Sequence, residues 1–446
     1  MSTRREFLES SALMSGAAAI GQAQSKVSPN DKIRLGCIGI GNMGLGDAKA
    51  STSVPGVELV AAADVYQGRL ERAREVFGKQ LAITRDYREI LARPDIDAVI
   101  VATPDHWHAQ QASEALLAGK HVYCQKPMVQ RPEDGHRVIA AEKKSGKILQ
   151  VGSQRVSNIL YTRLREVIKE GKIGEIRMIE AYYDRNSALG AWQYVIPYDA
   201  SPSTVDWDKF IGAAPKRPFE PIRLFRWRNY QDYGTGIAGD LFVHLFTGIH
   251  YVMDSMGPER VFASGGTYFW NDGRDVPDLM IGLYDYPKTD KHPAHQITLR
   301  VNFEAGTGGG QLFRFTGTEG YITLDVGNGF TVTSIPREAR PGYDLEPFPQ
   351  HVKDNFLKTY KEKYPDQKPS ADSMRPSASW SFRTPPGYSE QIAHHATFID
   401  AIRNKKTVVE DASFGLRAAA PALLSNTSYF EKKLVKWDPV AMKVIG

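Results

Sequence analysis

Asp240 and His244 stand four residues apart in the run Gly239-Asp240-Leu241-Phe242-Val243-His244, so on a helix they share a face. Imidazole is the side chain best poised to take a hydroxyl proton near neutral pH. A carboxylate beside it orients the ring and stabilises its protonated form. The neighbours Leu241, Phe242, Val243, Leu245 and Phe246 are apolar, and polar groups buried among them unpaired are costly. The pair therefore either performs acid–base chemistry or satisfies itself inside a core. His250 is a weaker candidate nearby. A second chemical group is Lys126, in Cys124-Gln125-Lys126-Pro127 directly after an apolar run. An ammonium at a strand end can favour an alkoxide forming as hydride leaves a carbinol carbon. Pro127 fixes the local backbone and so aims the lysine. A solvated loop lysine is the commoner meaning of a single lysine. No metal site is expected.

The elements that must hold these groups begin with Lys32–Gly44, KIRLGCIGIGNMG. An apolar strand, Ile33–Ile38, runs into Gly39, Gly41 and Gly44, spaced G-x-G-x-x-G. Gly39 gives the tight turn, Gly41 lets a pyrophosphate approach the backbone, and Gly44 lets the next helix pack on the sheet. A second strand, Val57–Ala63, ends in Asp64, twenty residues past Gly44. A carboxylate there can accept both ribose hydroxyls of NAD and repels the extra phosphate of NADP. Gly39, Gly41, Asn42, Met43, Gly44 and Asp64 are thus cofactor candidates. A plain glycine turn in another α/β protein is the weaker reading.

Strands Ala98–Ala102, His121–Cys124 and Ile148–Val151 continue the alternation, with helices expected at 43–51, 69–77, 87–92, 108–118 and 132–145. Short continuous apolar strands between helices predict a parallel sheet covered on both faces. Ligands of such sheets bind at the carboxyl ends of strands. Thr103, Pro104, Asp105 and His108 lie after the third strand, where the nicotinamide half belongs. Trp107 or His108 could cover that ring, while Asp105 could instead cap the helix that follows.

Past Val151 the pattern changes. A helix at 160–170 leads into the strand Glu175–Tyr183, and further strands are expected at 260–264, 279–286, 296–303, 311–316 and 320–325. Glycine turns separate several of them, which predicts a large, mostly antiparallel sheet. The fold class is therefore an α/β Rossmann domain (31–152) followed by an α+β domain (153–446) with a large open sheet. Residues 334–388, rich in proline and charge, read as an extended loop or arm. Closing helices are expected over 390–432.

At 446 residues two domains are expected, and 42% hydrophobic with 24% charged residues is a globular composition. Net charge is +5 and the pI about 8.9, but no basic block suggests nucleic acid. The cluster Lys216, Arg217, Arg223, Arg226 and Arg228 reads as a solvated, partly ion-paired loop. The opening Ser2-Thr3-Arg4-Arg5-Glu6-Phe7-Leu8 resembles a twin-arginine export signal, with a short apolar stretch and a cleavage site near Gly21-Gln22-Ala23. That assigns 1–24 to a signal peptide, predicts a periplasmic destination and leaves no membrane span. The two cysteines, Cys37 and Cys124, read as core hydrophobes.

Three motifs together, GIGNMG with Asp64, the Lys-Pro strand end and DLFVH, resemble the Gfo/Idh/MocA family of oxidoreductases, which includes glucose–fructose oxidoreductase and inositol dehydrogenases. The resemblance implies that Lys126 contacts substrate and nicotinamide, that Asp240 binds substrate and that His244 is the acid/base. It places Gln154 and Arg155 beside cofactor and substrate, and more loosely Asp184, Arg185, Asn186, Trp192, Arg226, Trp227 and Tyr230 around the substrate. It also implies a homo-oligomer formed through the second domain's sheet. Gln125 departs from the family, which usually carries Glu there, and so puts the usual cofactor contact in question. The expectation is hydride transfer between a sugar or polyol and a retained, internally recycled NAD. The alternatives are glycoside cleavage by oxidation, elimination and reduction, and a silent NAD- or sugar-binding protein.

Overall fold

The structure, a computed structural model, describes residues 32–335, 344–365 and 379–445. The expected export signal, and the parts of the arm at 336–343 and 366–378, lie outside the described residues. The described residues form two compact units, each drawn from three stretches of sequence: 32–157, 194–234 and 389–416 in the first, and 158–193, the described part of 235–388 and 417–445 in the second.

The first unit carries a six-stranded sheet in the order β3-β2-β1-β4-β5-β6. Its strands are β1 (Ile33–Ile38), β2 (Val57–Ala63), β3 (Ala82–Thr84), β4 (Ala98–Val101), β5 (His121–Cys124) and β6 (Leu149–Val151). All neighbours pair in parallel, giving the doubly wound arrangement expected of the alternating pattern. Every side chain of β4 is buried, as helices on both faces require. Only β3 is absent from the sequence reading; three residues are too few to show a period.

The stretches 194–234 and 389–416 were expected in the second domain, and the structure builds them into the first unit. Their apolar faces decide this. Phe398 and Ile399 of helix Glu390–Asn404 share a core with Ile33, Leu35, Ala62, Ile100 and Tyr123. Val205, Phe210, Leu224, Phe225 and Tyr233 form a second core with Tyr66.

The second unit is built on a ten-stranded sheet, ordered β14-β13-β12-β11-β7-β10-β9-β8-β15-β16. These are β7 (Ile176–Asp184), β8 (Arg260–Gly266), β9 (Leu279–Tyr286), β10 (His295–Asn302), β11 (Gly310–Gly317), β12 (Gly320–Asp325), β13 (Gly329–Ser334), β14 (Trp380–Phe382), β15 (Val435–Asp438) and β16 (Lys443–Val444). β7 and β10 are parallel and the other pairs antiparallel. Burial alternates along β9, where Met280, Tyr284 and Tyr286 point inward and Ile281 and Leu283 outward. Phe262 of β8 lies opposite Leu283, so the outer face carries an apolar row. On the inner face, helices Ile159–Lys169 and Val243–Met253 cross at Gly248, where a Cβ would lie 2.4 Å from the Tyr161 ring. The arm expected at 334–388 contains helix Gln350–Lys363, in which no residue is buried, and the short β14. No helix among the described residues is long and apolar enough to cross a membrane.

Several buried polar groups are structural. Cys37 and Cys124 are free, fully buried thiols whose pKa burial raises. His250 bonds through Nε2 to the Tyr286 hydroxyl at 2.7 Å, His295 stacks on the Tyr286 ring at 4.8 Å, and His394 Nε2 meets the Val151 carbonyl at 2.8 Å. Burial holds His250 at about 3 and His295 and His394 at about 4. The unfolded chain protonates near 6.5. Because the folded protein binds fewer protons there than the unfolded chain, these rings contribute stability fully above pH 6.5 and lose it as pH falls toward 4, by up to about 1.4 kcal/mol per pH unit for each ring. Urea unfolding should therefore show little change from these groups between pH 7 and 8, and a midpoint that falls steadily from pH 6.5 to 4.5. A midpoint flat across the lower interval would contradict the assignment.

Candidate active site

The first turn of the parallel sheet leaves no room for side chains. Gly39 has φ +84°, and a Cβ there would lie 2.7 Å from the Thr103 nitrogen at the end of β4. A Cβ on Gly44 would lie 1.9 Å from the Gly39 carbonyl oxygen. At Gly41 the nearest group is the Arg69 guanidinium, at 3.4 Å. Helix Asn42–Thr52 starts there without a side-chain cap and without an acid in its first turn. Its leading amides, beginning at Asn42 and Met43, are thus offered to an anion.

Asp64 closes β2. Its Oδ1 accepts the Tyr66 N–H at 3.0 Å and stands 3.5 Å from Arg69 Nη1. The inserted stretch builds a wall beside it: Phe225 meets Tyr66 edge-on at 5.1 Å and lies 5.4 Å beneath the Arg69 guanidinium. Tyr66 donates to Asp199 at 2.7 Å, and burial together with that carboxylate pushes its pKa up to about 12. The Gly41 backbone, covered only by the flexible Arg69 side chain, the free amides and the Asp64 carboxylate fit the pyrophosphate and adenosine ribose of a dinucleotide. Tyr66, Arg69 and Phe225 escaped the sequence reading; the sole local signal was an arginine five residues after Asp64.

At the end of β4, Thr103 donates to Gln111 Oε1 at 2.8 Å. Pro104 occupies the cap position of helix Asp105–Leu117, so Asp105 is its first helical residue and not its cap. A carboxylate in the first turn still complements the helix dipole. Trp107, one of two residues offered for covering the nicotinamide ring, is anchored by its own contacts. Its Nε1 donates to the Phe210 carbonyl at 2.9 Å, and Gly212 leaves its ring space that a Cβ would invade at 2.4 Å. His106 Nε2 shares the same carbonyl, also at 2.9 Å.

His108 is also enclosed, with Nδ1 2.7 Å from the Pro127 carbonyl and Nε2 2.8 Å from that of Thr103. Two acceptors would suit an imidazolium, but burial outweighs them and, with the Lys126 charge, holds the ring at about 4. At neutral pH it donates to one carbonyl only. Its location, between the carbonyls of Thr103 and Pro127, braces the ends of β4 and β5.

Gln125 and Lys126 are both buried, and their Lys126–Pro127 bond is cis. Gln125 Oε1 accepts the Lys126 N–H at 3.3 Å, and its Nε2 donates to Asp47 at 2.6 Å. Gln154, after β6, has φ +63°, a left-handed conformation that non-glycine residues adopt at a cost. Arg155 forms an ion pair with Glu390. Asp47, Glu390 and Gln391 carried no motif and were not foreseen.

In the second unit, Ala238–Phe242 winds as a π-helix and passes directly into the α-helix Val243–Met253. The Asp240–His244 spacing therefore spans a junction, a distortion common at functional sites. Tyr183 of β7 points edge-on at His244, with ring centroids 6.1 Å apart. The Arg185 guanidinium lies 5.4 Å over Tyr183 and donates to the Gly190 carbonyl at 2.8 Å. Arg185, Tyr183 and His244 thus form a row within one unit. Trp192, expected at the substrate, is fully buried and edge-on to Phe303 at 4.8 Å, so packing is its role here. Asp184 is committed to Arg300 and to the Asn302 N–H.

Tyr230 is likewise buried, in the first unit, under the Arg223 guanidinium at 4.2 Å. Arg226 Nε donates to the Tyr194 carbonyl at 2.9 Å. The basic cluster is partly ion-paired, with Arg217 on Asp232 at 2.6 Å and Arg223 on Glu220 at 2.9 Å.

Residues 33–153 match the family model described as "Oxidoreductase family, NAD-binding Rossmann fold". Residues 165–436 match the one described as "Oxidoreductase family, C-terminal alpha/beta domain". The chain is 34% identical over 205 residues to inositol 2-dehydrogenase of Salmonella typhimurium, covering 46% of this chain and 56% of that protein. It is 31% identical over 180 residues to a glycosyl hydrolase family 109 protein of Shewanella baltica, covering 38% of each. The chain thus spans about half the length, or less, of these curated relatives. Among solved structures, levoglucosan dehydrogenase in complex with NADH and L-sorbose aligns with a TM-score of 0.66 at 20% identity, over 92% of this chain and 100% of that one. Aldose–aldose oxidoreductase from Caulobacter crescentus, complexed with glycerol, aligns with a TM-score of 0.64 at 16% identity, over 91% and 99%. At such identities the two structures speak for the fold alone. With its NAD-binding Rossmann sheet and its C-terminal α/β sheet both matched, the chain belongs to the Gfo/Idh/MocA oxidoreductase family.

Proposed function

We propose that this protein transfers hydride between a hydroxyl carbon of a sugar or polyol and NAD. The observation that carries the reading is a fully buried helix, Val243–Met253, which bears His244 and is entered through a π-helical turn that bears Asp240, with Tyr183 against the imidazole. Apolar packing alone has no use for that pair. NAD, when bound, supplies the hydride acceptor. His244 takes the substrate hydroxyl proton, Asp240 orients the imidazole, and Lys126 offsets the charge growing on oxygen. Arg185 and Tyr183 supply a hydrogen-bonding and an aromatic surface suited to a polyhydroxylated ring.

A second reading is favoured by the glycosyl hydrolase family 109 relative. Oxidation of a ring hydroxyl makes the neighbouring C–H acidic. Loss of that proton expels the glycosidic oxygen as an alcohol, water adds to the alkene, and the returned hydride restores the hydroxyl. The sum is hydrolysis, with the cofactor unchanged. A retained cofactor suits the first chemistry where a second sugar, as its carbonyl form, takes the hydride back, and the second chemistry within its own cycle; an exported enzyme needs one or the other. The Arg4-Arg5 pair supports twin-arginine export. Replacing both by lysine should leave the protein in the cytoplasm, and undiminished export of that variant would refute the route.

The purified protein should release NAD or NADH on denaturation, and should interconvert the two when polyols, aldoses or glycosides are added. Free aglycone appearing without net NADH would select the cleaving enzyme. His244→Ala should lower turnover about 10²–10⁴-fold, the usual worth of a positioned acid–base group. Lys126→Ala should act similarly, while both variants keep the melting temperature within a few degrees. Full turnover in either would remove the assignment. Asp64→Ser removes two charge-assisted bonds to the ribose and frees Arg69. NAD affinity should fall about 10–100-fold, and the preference over NADP should shrink or reverse. An unchanged NAD/NADP ratio in titrations would show that Asp64 does not read the ribose.

A further inference from the structure

The helix that opens the dinucleotide turn carries a charged residue on its buried side. Asp47 has no accessible surface, although its helix neighbours inward are Gly44, Ala48, Ala50 and Ser51. An ionised carboxylate survives there only if it is fully hydrogen-bonded. Its Oδ2 accepts from Gln125 Nε2 at 2.6 Å, and its Oδ1 accepts from Gln391 Nε2 at 3.2 Å and lies 3.3 Å from His395 Nε2. His395 is itself fixed, by Ser51 Oγ at 2.9 Å on Nδ1 and by stacking on Tyr123 at 4.1 Å.

This arrangement decides how Gln125 stands. An amide has one donating and one accepting end, and nothing intrinsic prevents it from turning over. A carboxylate accepts only, so Asp47 admits the Nε2 end and leaves Oε1 for the Lys126 N–H at 3.3 Å. We infer that Asp47 is a positioning residue for Lys126: it locks Gln125, which holds the lysine's backbone, and it supplies from one layer behind the negative charge that glutamate at 125 would carry. The inference rests on the proposed role of Lys126 and deepens it. Asp47 and Gln125 form a complementary pair, one acid and one amide. Two acids 2.6 Å apart would have to share a proton, and two amides would lose the charge. The titratable groups facing the pair are His394 and His395 from helix Glu390–Asn404, Tyr123 from β5 and Cys37 from β1, while Lys126 meets it through its backbone N–H.

The test is a double-mutant cycle on the full chain, read by NADH fluorescence titration between pH 5.5 and 8.5 with melting temperatures alongside. Gln125→Glu should bind NADH about tenfold more weakly at pH 8 and recover toward acid pH, a new pH dependence that a merely structural role would not create. Asp47→Asn should weaken binding several-fold, by roughly 1 kcal/mol for a factor near five. The exchanged pair Asp47→Asn/Gln125→Glu should return to within about threefold of the parent and lose the new pH dependence. If Gln125→Glu fails to fold, recovery of Asp47→Asn by the exchanged pair still carries the result. Binding by Gln125→Glu that matches the parent across the pH range, or an exchanged pair no better than Asp47→Asn, would overturn the inference while leaving the hydride-transfer reading intact. A parent chain that binds no NADH would remove both.

Discussion

A backbone carbonyl lies where a side chain on Gly44 would have to begin. That contact, between the Gly39 oxygen and the Gly44 Cα, seats helix Asn42–Thr52 against the turn and sets the direction of its free amides. Much else is arranged around it. The helix must lie close for Asp47 to reach Gln125 at the end of β5, and Gly39 must turn tightly for β4 to bring Thr103 alongside. Any side chain at either position meets backbone, which cannot yield as a flexible side chain can.

Around that turn the strand ends are held by polar groups that work in pairs or threes. His108 sits between the carbonyls that follow β4 and β5 and donates to one of them, and Gln125 links β5 to the dinucleotide helix. His394 bonds the Val151 carbonyl at the end of β6, and Glu390 engages Arg155 just beyond it. His108, Gln125, His394 and Arg155 are buried, so removing a partner leaves a polar group without its hydrogen bond, at a cost of about 1–3 kcal/mol. Rigidity at strand ends is what a hydride-transfer site needs, because small displacements of the reacting groups cost rate steeply.

The parallel sheet was legible because its signals are local. Continuous apolar runs, glycine spacing and a distant acid each fall within a short window, and β1, β2 and β5 match their expected bounds. The antiparallel strands β9 and β12 were equally plain through alternation and flanking turns. What escaped depends on contacts distant in sequence. Helix Glu390–Asn404 has the right bounds, but nothing in its sequence announces that Phe398 packs beneath β1. Trp107, His108, Trp192 and Tyr230 have the residue types of a binding site, yet each is used for packing or bracing. Aromatic and imidazole side chains suit both tasks, and only burial separates them. Asp47 was invisible for the opposite reason: a lone acid in a helix is ordinarily solvated.

The first unit is assembled from three separated lengths of chain, the last joining only after residue 389. Helix Glu390–Asn404 contributes Phe398 and Ile399 to its core and His395 to its buried acid. The dinucleotide module is therefore not a fragment that can be excised at residue 153. Such a truncation exposes the underside of β1 and β5 and strands the Asp47 carboxylate. During synthesis, the parallel sheet must wait until helix Glu390–Asn404 has been made before it can close. A chain halted earlier would show apolar surface to proteases and chaperones, even with its glycine turn intact.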